Sequence, residues 1–153
     1  MYYIGIDLGG TNIAAGITDT EGNILYKGSL PTGASRGRDA IIDDIAALCR
    51  ILCRDARIAF DEIGRIGIAV PGGVDAAAGE ILFTPNIPLS GINICEILSE
   101  KLDGKPVLLA NDANAAALAE ARVGAARGAK DAVMITLGTG VGGGIVTDGK
   151  IYN

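Results

Sequence analysis

Histidine is absent from the 153 residues. Acid–base chemistry or metal binding by this chain must therefore rest on Asp, Glu, Lys, Tyr or Cys, and Ser-His-Asp, Cys-His and His-metal mechanisms are excluded. Cysteine is scarce. Cys49 and Cys53 stand four apart, on one face of any helix there, and Cys95 is remote. Three cysteines without metal-ligand spacing read as buried free thiols. No run of 18 apolar residues occurs, and "YYIGID" follows Met1 without a basic stretch or a small-residue cleavage site. The expectation is a cytoplasmic protein with no membrane partner. The 13 basic residues are scattered and outnumbered by 18 acidic ones, which leaves no electrostatic footprint for nucleic acid.

Glycine, in contrast, is plentiful at 23 residues, roughly double the usual share of about 7%. Apolar residues make up 49%, enough to build the core of one ordinary domain without disulfides or metals. Three short runs open the chain: Tyr2 to Leu8, Ile13 to Asp19 and Asn23 to Leu30. The connectors "GGTN" and "TEG" are rich in turn residues, so these runs predict an antiparallel meander. From Asp39 to Ala56, Ile41, Ile45, Leu48, Cys49, Leu52 and Cys53 recur at helical spacing. A buried strand follows at Ile66 to Val70, then a helix at Ile94 to Leu102, a strand in "KPVLLAND" and an alanine-rich helix closed by Gly124. Strands alternating with helices after a meander indicate an α/β fold with a mixed sheet. The last segment, "AVMITLGTGVGGGIVTDGKI", is again strand, glycine turn, strand. At an offset of 129 residues, Ile6, Leu8, Gly9, Thr18 and Asp19 match Ile135, Leu137, Gly138, Thr147 and Asp148, which points to an internal duplication.

Candidate chemistry gathers in the turns. In "GIDLGGTN", Gly9 and Gly10 let the backbone bend sharply, and exposed amides with the Thr11 hydroxyl can donate to phosphate oxygens. Asp7 is then placed to serve a divalent cation on those phosphates; the competing reading is a hairpin turn whose Asp caps local amides. "GTGVGGG", Gly138 to Gly144, contains G-x-G-x-x-G but has no following helix and no acidic residue about 20 positions on, so it is not a dinucleotide fingerprint; no P-loop pattern occurs either. Asn111 and Asp112 fall where a strand gives way to a helix. There they either cap the helix or present an ionised carboxylate to a ligand at a strand's carboxyl end. Gly72 in "AVPGGVD" and Asn86 in "TPNIP" lie in loops expected at that edge, where Asn86 suits a sugar hydroxyl; turn formation alone also accounts for the Pro-Gly pair.

Taken in order, "IGIDLGGTN", "AVPGGVD", "TPNIP", "LANDANAAALAE" and "ITLGTGVGGGIV" resemble the ROK family of sugar kinases and sugar-responsive repressors, its glucokinase-like members most. The resemblance implies the actin-like (ribonuclease H-like) ATPase fold, with a first lobe over residues 1–128 and the first hairpin of a second lobe over 129–153. It implies ATP and Mg2+ as cofactors and a hexose or N-acetylhexosamine as substrate. Asp7 would assist the metal. Gly9, Gly10, Thr11, Asn12, Gly138 and Thr139 would contact ATP, and Gly140, Gly72 and Asn86 would border the sugar. Asn111 and Asp112 would hold sugar hydroxyls, Asp112 also as catalytic base. Where the family often carries a basic residue, this chain has Ala14. The family continues for about as many residues again, with a Glu and a His for the sugar, a zinc site and the adenosine pocket beyond Asn153. The expectation is an N-terminal portion, inactive alone and pairing with a second copy through the apolar hairpin 132–147. The alternative is a sugar-sensing regulator without kinase activity.

Overall fold

The computed structural model describes residues 1–137 and 141–152. Strand alternation dictates its first element. In β1 (Tyr2–Leu8), Ile4, Ile6 and Leu8 turn to one side and are buried, while Gly5 and Asp7 turn to the other and are exposed. β2 (Asn12–Thr18) and β3 (Ile24–Pro31) complete the expected antiparallel meander.

α1 (Arg38–Ala56) buries Ile41, Ile42, Ile45, Leu48, Cys49, Leu52 and Cys53, the stripe read from spacing with one further isoleucine. These side chains form one cluster with the inward residues of β1 and β2, and burying each isoleucine or leucine contributes about 1.5–3 kcal/mol. Arg57, in the left-handed conformation at φ 58°, ends the helix by donating its N–H to Arg54 and Cys53 carbonyls.

β4 (Ile63–Val70) runs parallel to β1 on the side away from β2. Three short strands follow: β5 (Gly73–Asp75), β6 (Glu80–Phe83) and β7 (Ile92–Asn93). They form a small antiparallel sheet where the sequence suggests only loops. α2 (Ile94–Lys101) starts at Asn93, whose side chain accepts the Glu96 N–H and donates to Ala78 O. β8 (Val107–Asn111) adds to the main sheet next to β4, giving the order β3-β2-β1-β4-β8.

The remaining elements are α3 (Asp112–Arg122), β9 (Ala132–Leu137), β10 (Val141–Thr147) and β11 (Lys150–Ile151). By packing, the chain divides into two compact units, residues 1–110 and 111–153. Within the second unit, α3 lies on the β9–β10 hairpin through matched small residues. A methyl group added at Gly144 would stand 2.6 Å from Ala117 Cβ and 2.8 Å from Ala113 O. Ala117, Ala121 and Val146 are the buried core there, with Ala132, Met134 and Ile151 packed against them. Val133, Ile135, Leu137 and Val141 remain exposed. Among the described residues no helix is long and apolar enough to cross a membrane.

Candidate active site

The β1–β2 connection is a tight hairpin. Leu8 is paired with Ile13, and the Gly9 N–H donates to Asn12 O at 2.9 Å. A side chain on Gly9 would put its Cβ 3.1 Å from that same oxygen, whereas Gly10 faces open space. Gly10, Thr11 and Asn12 are exposed. The turn therefore presents backbone amides and a hydroxyl without covering bulk, as a phosphate site requires.

Asp7 is the penultimate residue of β1 rather than a turn residue, and the pleat directs it to the exposed face. The register sets Ala14 and Ala69 beside it, and two positions earlier sets Gly16 and Gly67 beside Gly5. Its cross-strand neighbours on that face are thus glycine and alanine. Sequence reasoning missed these small neighbours because only the register brings them together. Among the described residues no group of three or more potential metal ligands occurs. A single carboxylate beside a turn of exposed amides suits Mg2+, which keeps most of its water and is held by one or two carboxylates plus substrate phosphates.

β1 and β4 are parallel, so Asp7, paired with Ala69, leaves the sheet at the same end as Pro71 and Gly72. Gly72 has φ 101°, and a Cβ there would stand 2.2 Å from Phe83 O. Only glycine fits. What approaches Gly72 is the β6 backbone, which fixes where the following "TPN" stretch begins. Asn86 is exposed and left-handed at φ 61°.

At the junction of β8 and α3, Asn111 is the N-cap: its Oδ1 accepts the Asn114 N–H at 3.1 Å. Asp112 is the first helical residue and exposed, and its Oδ1 accepts the Ala113 N–H at 2.8 Å. The cap role read as one alternative falls to Asn111, and the Asp112 carboxylate stands at the positive end of the helix dipole. The structure thus brings Asp7, Gly9–Asn12 and Gly72 to one sheet end in the first unit and sets Asn111 and Asp112 together at a helix start. Gly138, Thr139 and Gly140 lie outside the described residues.

Cys49 and Cys53 are buried free thiols, as expected, whereas Cys95 is only half-buried against the core. Burial pushes Cys49 up to about 12 and raises Cys53 and Cys95 as well, so none is set up as a nucleophile.

A mixed-sheet α/β unit with a glycine hairpin and a carboxylate at one sheet end has the features of a phosphate-handling ATPase lobe. Residues 3–153 match the ROK family model, and the chain belongs to the ROK family. It is 42% identical over 151 residues to a glucokinase of Streptomyces coelicolor, covering 97% of this chain and 44% of that one. It superposes on a ROK hexokinase of Thermus thermophilus with a TM-score of 0.88 at 40% identity, covering 99% of this chain and 49% of that one. A ROK family glucokinase from Streptomyces griseus, solved in complex with glucose and AMPPNP, gives a TM-score of 0.88 at 38% identity, covering 99% of this chain and 46% of that one. The fold is the actin-like ATPase fold of these hexokinases. The chain spans about half the length of the relatives it matches.

Proposed function

We propose that these residues are the N-terminal portion of an ATP-dependent sugar kinase acting on a hexose or N-acetylhexosamine. The observation that carries the reading is the convergence of an exposed carboxylate, Asp7, with a bare phosphate turn, Gly9–Asn12, at one end of the β1–β4 sheet. The family membership and the glucose and AMPPNP bound to the Streptomyces griseus relative support it. Residues 1–128 would form the first lobe and 129–153 the start of the second.

In this reading Asp7 would hold Mg2+, and Gly10 to Asn12, with Gly138 and Thr139, would contact the phosphates. ATP supplies the phosphoryl group and Mg2+ neutralises its charge. Asn111 would offer its amide to the sugar, with Gly72, Asn86 and Gly140 as further sugar-binding residues. Asp112 accepts the proton of the attacking hydroxyl as its oxygen bonds to the γ-phosphorus and the bond to ADP breaks. A helix N-terminus favours the ionised carboxylate this needs. A zinc site, in this reading, would lie outside these 153 residues.

Sugar-dependent ADP formation by the full-length protein, measured with glucose, N-acetylglucosamine, N-acetylmannosamine and fructose, tests the reading. One sugar is expected to drive ADP release, and the 153 residues alone to give little or none. Sugar binding without ADP release would instead identify a sensor.

A further inference from the structure

Two polar side chains are buried among the described residues, Thr32 at 0% exposure and Thr84 at 4%. A buried hydroxyl costs stability unless it is hydrogen-bonded. That of Thr32 is bonded, and its partner is 23 residues away. Thr32, which directly follows β3, donates its Oγ1–H to Gly9 O at 2.6 Å and its backbone N–H to Thr11 O at 2.8 Å. Its own carbonyl accepts from Arg36 Nη2 at 3.3 Å, and Arg36 pairs with Asp44 of α1. A continuous set of contacts thus runs from α1 through Arg36 and Thr32 to two carbonyls of the glycine hairpin.

We propose that Thr32 is a positioning residue that sets the amide directions of the phosphate turn; this rests on the phosphate reading of that turn. In a planar trans peptide the N–H points opposite to the C=O. Holding Gly9 O and Thr11 O on the Thr32 side therefore turns the N–H groups of Gly10 and Asn12 the other way. Donors fixed in advance need no reorientation when an anionic oxygen arrives. Gly10, Thr11 and Asn12 are exposed, and no atom lies within 4 Å of where a Cβ on Gly10 would stand. The backbone N–H of residue 32 would serve whatever its side chain; the hydroxyl on Gly9 O requires Thr or Ser.

The test is a titration of the 15N-labelled chain with magnesium tripolyphosphate, followed at the amides of Gly9 to Asn12, with unfolding midpoints measured in parallel. Loss of one hydrogen bond in Thr32→Val is expected to raise the Kd about tenfold, with Thr32→Ser staying within about threefold of the unmutated chain. Arg36→Ala, whose side chain is 47% exposed, keeps the hydroxyl and should weaken binding about two- to threefold. Should Thr32→Val fail to fold, Arg36→Ala decides: a raised Kd supports the proposal and an unchanged one overturns it. A lower midpoint for Thr32→Val with an unchanged Kd of the folded protein means a purely structural role and overturns the proposal while leaving the phosphate reading intact. Absence of any shift in the unmutated chain overturns the phosphate reading of the turn, and the proposal with it.

Discussion

Replacing Gly72 by alanine separates a glycine that the backbone demands from one that merely occupies a loop. Its φ of 101° lies where side-chain-bearing residues are strained, at a cost of about 1–3 kcal/mol. The added methyl would also stand 2.2 Å from Phe83 O, and relieving that contact moves backbone on β6, for about 1–3 kcal/mol more. The sum, about 2–6 kcal/mol, corresponds to a fall in Tm of about 4–24 °C at roughly 2–4 °C per kcal/mol for a chain of this size. Gly73 supplies the control on the very next residue, since a Cβ there has open space and its φ is not in the restricted region. Gly73→Ala should change stability by less than about 1 kcal/mol. Thermal unfolding followed by circular dichroism reads both. Equal shifts for the two variants, or a negligible one for Gly72→Ala, would refute the close approach of β6 to this loop.

The Cys49 thiol is raised above its unfolded value of 9.0 to about 12, chiefly by burial. The folded protein keeps the proton longer than the unfolded chain, so this contribution is complete below pH 9 and is lost as pH rises towards 12, at about 1.4 kcal/mol per pH unit. Urea unfolding from pH 8 to 10.5 should show that decline, and Cys49→Ala should flatten it; an identical slope would place the effect elsewhere. The exposed row of Val133, Ile135, Leu137 and Val141 leads to the proposal that two copies of the 153-residue chain pair through this hairpin. Light scattering should give a dimer that Ile135→Lys disperses, and a monomeric unmutated chain exchanging its 133–146 amides rapidly would overturn the proposal.

Long periodic elements were legible in the sequence. The α1 stripe from Ile41 to Cys53 and the meander of β1 to β3 follow from spacing and turn chemistry alone. The β5–β7 sheet was not, because strands of three, four and two residues are too short to display a period. The two hairpins show a subtler limit. An offset of 129 residues aligns Leu8 with Leu137, yet Leu8 pairs with Ile13 while Leu137 pairs with Val141, not Gly142. The matches Thr18 with Thr147 and Asp19 with Asp148 are therefore one residue out of structural register. Within the candidate site, Asp7 and the glycine turn carry a local signal, whereas Thr32 acts over 23 residues and the alanines beside Asp7 come from two other strands. Such contacts exist only once the register is formed.

We propose that the Asp112 carboxylate takes a proton from a sugar hydroxyl during phosphoryl transfer. Sugar-dependent ADP formation by the full-length protein carrying Asp112→Asn tests it most directly, with sugar affinity measured alongside. Loss of a general base predicts a fall in kcat of about 10²–10⁴-fold with sugar still bound; turnover within a few-fold of the unmutated enzyme would mean that Asp112 is not the base.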